Sequence, residues 1–356
     1  MINDSSNRIR VVQGAPICIA SEIDDKGLSL LRKLSDRPPF ESDYWALATS
    51  WLERAESRLR NLEVCESRSR VVSSPSAIVL GDLHGDLNVL LAARLWRDQK
   101  RPEAELVILG DLVDRGPASG SVACVALYWW LKDPCARVTI LSGNHDLAVT
   151  AVGGSKGFLS SIDPSEFVTW LRAPLRSDLR VRLGAMFTTV IPRLPRWVVL
   201  PGGLLAVHGS VPHVDAFEAV SKLADLESLE IPARDLVWLR VAYDSARKRP
   251  NRRSLGCEIG IENVATGLDR FEELFRRSAH PISIRGMLRG HDHVPGRQKV
   301  GWTSDLRPII TINSMSFTLP EDSLESTIPR PVVAIIDRDS VGDGAVTITL
   351  REFELP

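Results

Sequence analysis

The chain has 356 residues, 44% of them apolar and 25% charged, with a formal net charge of -1. That length and apolar fraction can bury an ordinary core, so a globular, soluble protein is expected. So small a net charge supplies no long-range field for nucleic acid or an anionic membrane, and any attraction for phosphate has to be local.

In chain order, residues 1 to about 40 carry few periodic apolar positions and read as a loosely held arm. From Ser42 to Leu62, Trp45, Ala48, Trp51, Leu52, Ala55, Leu59 and Leu62 recur at helical spacing, which predicts an amphipathic helix packed against the larger unit downstream. Arm and helix make up residues 1–66, and a polar linker runs to Ser76. The larger unit, 77–356, opens with the apolar runs Ala77–Leu80, Leu106–Leu109 and Val138–Leu141. Helical patterns from Leu87 to Leu95 and from Ser121 to Leu131 separate them. This βαβαβ run predicts an α/β fold with a parallel core and helices on its faces. Pro164, Pro174, Pro192 and Pro195 around helical pieces mark about 153–201 as a helical cap insert. Strands resume at Leu204–Val207, Ile284–Leu288, Ile309–Ile312, Val332–Ile336 and Val346–Leu350, the last four expected as a second sheet packed on the first.

The five cysteines (Cys18, Cys65, Cys124, Cys135 and Cys257) are scattered without a C-x-x-C pair. That pattern fits neither a disulfide framework nor a zinc ribbon and suits a reducing compartment. The first ten residues are polar, and no stretch reaches the roughly 18 uninterrupted apolar residues of a membrane span. The expected location is the cytoplasm, with no nucleic-acid or membrane partner; the oligomeric state is not legible.

The most informative residues follow the apolar runs: Gly81-Asp82-Leu83-His84-Gly85-Asp86, then Gly110-Asp111-Leu112-Val113-Asp114-Arg115-Gly116, then Gly143-Asn144-His145-Asp146. His208 and His291 likewise follow apolar runs beside glycine. Open α/β sheets place their sites at strand C-terminal ends, so carboxylates, imidazoles and an amide are delivered toward one place. Hard oxygen and borderline nitrogen donors, with one carboxylate to bridge, are what a hydrolytic two-metal site needs. Asp82 and His84, two apart on an extended segment, can point the same way. Asp111 is placed to bridge, while Asn144, His208 and His291 complete a second ion without adding negative charge. His145 is then free to serve as general acid, with Asp114 holding its imidazole protonated. Arg115 offers a planar fork for phosphate oxygens.

On these residues the chain resembles the phosphoprotein phosphatase family of calcineurin-like metallophosphoesterases, bacterial type. Gly81–Gly85 meets the family's G-D-x-H-G, Gly110–Gly116 its G-D-x-V-D-R-G, and Gly143–Asp146 its G-N-H-[ED]; His208-Gly209-Ser210 and Arg289-Gly290-His291 match its later histidines. The resemblance implies a β-sandwich flanked by helices. It also implies Asp82, His84 and Asp111 on one metal and Asp111, Asn144, His208 and His291 on the other. The ions would be two divalent metals, Mn²⁺ foremost, with Fe or Zn as alternatives, and a metal-bridging hydroxide would attack phosphorus in line. Arg253 is the candidate for the family's second phosphate-binding arginine, beside Arg115 and Asn144. His293 matches the G-H-x-H of broader metallophosphoesterases, where the second histidine joins the first metal. The implied activity is hydrolysis of phosphomonoesters, on phosphoserine or phosphothreonine and also phosphotyrosine proteins or small phosphoesters. A diadenosine tetraphosphatase-like dinucleoside polyphosphate hydrolase is the alternative, and a non-catalytic phospho-binding scaffold a third reading.

Overall fold

The computed structural model describes residues 9–36, 45–59, 70–132, 137–153, 157–175, 177–243, 258–278, 281–318, 330–338 and 345–356. The expected βαβαβ run is present as Ser76–Leu80 (β3), Glu105–Ile108 (β4) and Val138–Ile140 (β5), joined in parallel. The connecting helices are Leu87–Lys100 and Ser119–Lys132. These strands extend into a seven-stranded sheet of order β1-β16-β15-β3-β4-β5, where β1 is Ile9–Gln13, β15 Val332–Arg338 and β16 Val346–Glu354. Ile17–Cys18 (β2) pairs with the end of β16.

A second sheet has the order β13-β14-β12-β9-β8: Gln298–Trp302, Pro308–Ile312, Gly286–Arg289, Leu204–Val207 and Trp197–Leu200. Two hairpin-sized sheets lie outside it, Val149–Val152 (β6) with Gly157–Ser160 (β7), and Arg240–Ala242 (β10) with Glu258–Gly260 (β11).

The period-two alternation of strands explains how the layers stack. Ala77 and Val79 of β3 share a core with Ala206, Leu288 and Ile310 of the second sheet. Ile78 and Leu80 belong instead to the core beneath the Leu87–Lys100 and Ser119–Lys132 helices. In the second sheet, Leu205, Met287 and Ile309 face outward onto the Ile261–Arg276 helix, whose Val264, Leu268 and Phe271 complete a third core. The central strands of both sheets are buried on both faces, and the order of layers is helix, sheet, sheet, helix. This is the expected flanked β-sandwich.

Three expectations need correction. Val332–Arg338 and Val346–Glu354 lie in the first sheet and not the second, because β15 pairs antiparallel with both β3 and β16. Proximity in sequence to β14 is a poor guide once a strand can cross between sheets. Second, residues 9–36, the described part of the stretch read as a loose arm, are built in: β1 pairs in parallel with β16 over five residues. The helix Asp25–Asp36 beyond it buries Leu31 and Leu34 in the helical core. The sparse pattern arose because β1 is an edge strand, alternately half-buried and exposed. Third, the insert ends before Trp197, since Trp197–Leu200 is a strand of the second sheet paired antiparallel with β9. The amphipathic helix is present as Trp45–Leu59, packed on Ser119–Lys132 and Ser177–Val190.

Candidate metal centre

The chain delivers its candidate donors from five strand ends. β3 runs into Asp82 and His84, β4 into Asp111 to Arg115, β5 into Asn144 and His145, β9 into His208 and β12 into His291. The two sheets are stitched together here, because Asp82 forms an isolated parallel bridge with Asn313 just beyond β14. Five of the site's residues take left-handed backbone: His84 (φ 45°), Asp111 (φ 52°), Asp114 (φ 68°), Arg115 (φ 66°) and His291 (φ 66°). Such conformations cost side-chain-bearing residues energy and persist only where surroundings impose them, as at binding sites. The glycines solve a different problem. A Cβ on Gly143 would stand 2.1 Å from the Asp111 amide nitrogen and 2.2 Å from Asp111 Oδ1, and one on Gly290 would stand 2.2 Å from Asp82 Oδ1. Close approach, not turn geometry, requires glycine at both.

Three sets of side chains offer ligand atoms within 4.8 Å of one another: Asp82 with His84 and His293, His84 with Asp111 and His145, and Asp111 with His208 and His291. Asp111 stands between the two ends, its Oδ2 3.6 Å from His84 Nε2 and its Oδ1 3.5 Å from His208 Nε2. His293 Nε2 lies 3.4 Å from Asp82 Oδ2. Asn144 Oδ1 is 2.9 Å from both His208 Nε2 and His291 Nδ1. The structure therefore brings Asp82, His84, Asp111, Asn144, His208, His291 and His293 together. Arg253 lies outside the described residues.

The ring orientations suit a cation. His84 Nδ1 is 2.9 Å from the Val113 carbonyl, His208 Nδ1 2.9 Å from that of Leu109, and His291 Nε2 3.1 Å from that of Trp238. Each carbonyl takes the N–H of its ring and turns the other nitrogen inward, the usual arrangement behind a metal-ligating imidazole. Asp82 Oδ2 and His84 Nε2 are buried with no hydrogen-bond partner, which is costly unless something positive meets them. Burial pushes the imidazoles of His84 and His291 well below their ordinary range. With its N–H on the Trp238 carbonyl, His291 turns the Nδ1 lone pair toward Asn144 Oδ1, an arrangement that a shared cation would stabilise. Burial also opposes the charge on Asp82, but His293 and His208 outweigh it and bring its carboxyl to about 2. For His208, burial is outweighed by Asp111, which raises the imidazole to about 9; the carboxylates that hold that proton are also those able to hold a metal in its place. These donors fit two divalent cations sharing Asp111.

His145 is set apart by its partners. Its amide donates to Asp111 Oδ1 (2.9 Å), while its Nδ1 meets Asp114 Oδ2 at 2.8 Å. Burial disfavours the charged ring, yet Asp111 and Asp114 prevail and raise its pKa. Asp114 is itself fastened from the insert, its Oδ1 accepting from Ser165 Oγ and the Phe167 amide, both at 2.9 Å. Arg115, exposed at the rim, spans two rings, with Nη1 2.8 Å from His293 Nδ1 and Nη2 3.3 Å from His145 Nε2.

The bracing roles of several residues escaped sequence reasoning. Asp146 accepts from the amides of Leu112 (2.9 Å) and Gly143 (3.0 Å), locking the second and third motifs together; burial lifts its carboxyl to about 7. Fully buried Arg289 donates to Asp292 Oδ2 (2.5 Å), to Thr311 Oγ1 (3.1 Å) and to the carbonyls of Leu239 (3.2 Å) and Gly209. It thereby braces the loops that carry His208 and His291. Ser165 could have been found as the N-cap of the helix Glu166–Arg172, but nothing local to Arg289 or Asp146 marks its partners.

The likeness to solved structures is broad. A serine/threonine phosphatase from Saccharomyces cerevisiae with similarity to human phosphatase PP5 aligns over 87% of this chain and 91% of its own, at 18% identity and a TM-score of 0.55. A metallophosphoesterase from Sphaerobacter thermophilus aligns over 79% and 89% (17% identity, TM-score 0.41), and a cold-active protein tyrosine phosphatase over 79% and 80% (16%, 0.41). At such identities the yeast structure speaks for the fold alone. Sequence supplies the rest: the model of the calcineurin-like phosphoesterase family matches residues 76–295, from β3 past His291 and His293. A phosphoesterase family whose members depend on a dinuclear metal centre, and a described site whose donors fit two cations sharing one aspartate, place this chain in the calcineurin-like metallophosphoesterases, as a hydrolase of phosphoesters.

Proposed function

We propose that this protein is a metal-dependent phosphomonoesterase acting on phosphoserine and phosphothreonine in proteins, with phosphotyrosine as a further substrate. The observation that carries this reading is the His145–Asp114 pair, 2.8 Å apart, standing beside the donors that share Asp111. An acid next to a two-cation site is what a leaving alkoxide requires. Asp82, His84, Asp111 and His293 would hold one ion, and Asp111, Asn144, His208 and His291 the other. Bound there, two divalent metals supply Lewis acidity toward the phosphoryl oxygens and activate a water as nucleophile. Oxygen and imidazole donors without thiolate suit Mn²⁺, with Fe or Zn as alternatives.

The chain's own side chains do the remaining work. The Arg115 fork pairs with non-bridging phosphate oxygens, with Asn144 beside it. As the bond between phosphorus and the ester oxygen breaks, His145 Nε2 delivers its proton to that oxygen, so serine or threonine leaves as the neutral alcohol. Asp114 takes the N–H at Nδ1, keeps Nε2 aimed at the leaving group and stabilises the imidazolium between turnovers. An arginine at the exposed rim suits a phosphate carried on a polypeptide. The catalytic unit is taken as residues 77–356, buttressed by the elements within residues 1–66, in the cytoplasm.

The test is a side-by-side assay of phosphopeptides and dinucleoside polyphosphates on chelator-treated protein with and without Mn²⁺. Metal-restored turnover of phosphopeptides over dinucleotides is expected. Preference for the dinucleotide would replace the reading with a polyphosphate hydrolase, and metal-loaded protein that binds phosphopeptide without turnover would make it a scaffold.

A further inference from the structure

On the helical face, with no candidate metal ligand in its lining, the helices Asp25–Asp36, Trp45–Leu59, Leu87–Lys100 and Ser119–Lys132 surround a cavity of about 320 Å³. Its walls are apolar, including Leu34, Trp51, Leu91, Leu95 and Trp129, and among the described residues the one charged side chain lining it is Arg94. Leu30, 45% exposed, stands at its edge. The volume is at the small end of ligand sites, which run from about 300 to 1,000 Å³, so it suits one apolar chain and not a sterol or a paired lipid.

The charge at the rim selects the head group. Arg94 Nε reaches Asp98 Oδ2 at 2.7 Å, and Arg97 Nε lies 2.9 Å from Asp98 Oδ1. One carboxylate is thus shared by two guanidinium groups, leaving a positive charge uncompensated between them; Glu105 and Arg137 act on Arg97 with opposite signs. Arg94 Nη1 is buried without a hydrogen-bond partner, and the guanidinium carbon sits 5.2 Å from the Trp129 ring centroid. With the Trp129 ring on one side and an acid shared with Arg97 on the other, the Arg94 guanidinium is the charged group at the boundary of an apolar chamber. We propose that this cavity binds a medium-length fatty acid, its acyl chain among the leucine and tryptophan side chains and its carboxylate on Arg94. The site joins the N-terminal helices to the two helices that start from the Asp86 and Gly116 loops, and it does not depend on the catalytic reading.

The test is calorimetric titration of the full-length protein with dodecanoate below its aggregation concentration, beside 1-dodecanol and dodecyltrimethylammonium. Dodecanoate is expected to bind one per chain and at least about tenfold tighter than the alcohol, the worth of one charge-assisted hydrogen bond. Arg94→Met should remove that preference while leaving aryl phosphate turnover unchanged. Leu91→Trp, which fills the chamber, should abolish binding of both acid and alcohol; Leu95→Phe is the second filling variant should the first fail to fold. No saturable binding of dodecanoate, equal affinity for the cationic amphiphile, or a preference that survives Arg94→Met would each overturn the proposal.

Discussion

His145 and Asp111 touch, yet their removal should have different consequences. Asp111 faces both donor groups, whereas His145 offers its Nδ1 to Asp114 and its Nε2 to the rim. His145→Asn is expected to lower kcat by roughly 10²- to 10⁴-fold, the usual worth of a positioned acid, with metal content by elemental analysis nearly unchanged. Asp111→Asn should lose metal. Equal loss of metal in both variants would make His145 a ligand and end the division of roles. Arg289 belongs to the same scale: a buried cation holding one carboxylate, one hydroxyl and two carbonyls cannot lose its charge without leaving them unpaired. Arg289→Met should therefore weaken metal retention through the His208 and His291 loops, read as a higher Mn²⁺ requirement for activity.

At the scale of elements, the insert after Asp146 is less independent than its prolines suggested. Its helices Glu166–Arg172 and Ser177–Val190 place Phe167, Leu171, Leu183 and Phe187 in the same core as the Leu87–Lys100 and Ser119–Lys132 helices. It also reaches the site, because Ser165 caps Glu166–Arg172 through the Val168 amide and donates to Asp114. Ser165→Ala should cost about 1 kcal/mol of stability as a lost cap, visible as a modest fall in Tm. It should also lower kcat with little change in KM, since Asp114 would keep only the Phe167 amide on its outer oxygen. An unchanged kcat would show that the insert is packing alone.

For the whole molecule, the N-terminal elements are structural members. β1 covers an edge of the first sheet, and Asp25–Asp36 closes the helical layer with Leu31 at 1% exposure. Leu31→Ala should cost about 2–5 kcal/mol, the range for emptying a buried leucine site, measured by denaturant unfolding. A cost near zero would return these residues to the status of a loose arm. The three buried strands and the strand-end motifs were readable because each is local: apolar runs of strand length, followed at once by Asp, His or Asn beside glycine. His293 was readable only as a spacing, and the structure brings it to Asp82 from more than 200 residues away in sequence. The sequence by itself determined the donor types, their order and the strand ends that carry them, since backbone periodicity and motif spacing act over a few residues. Tertiary structure alone decided which sheet took Val332–Arg338 and Val346–Glu354, that β1 joined the first sheet and the insert the helical core, and how Asp146 and Arg289 brace the loops. Those outcomes depend on pairing and burial between segments distant in the chain, energies that no local pattern encodes.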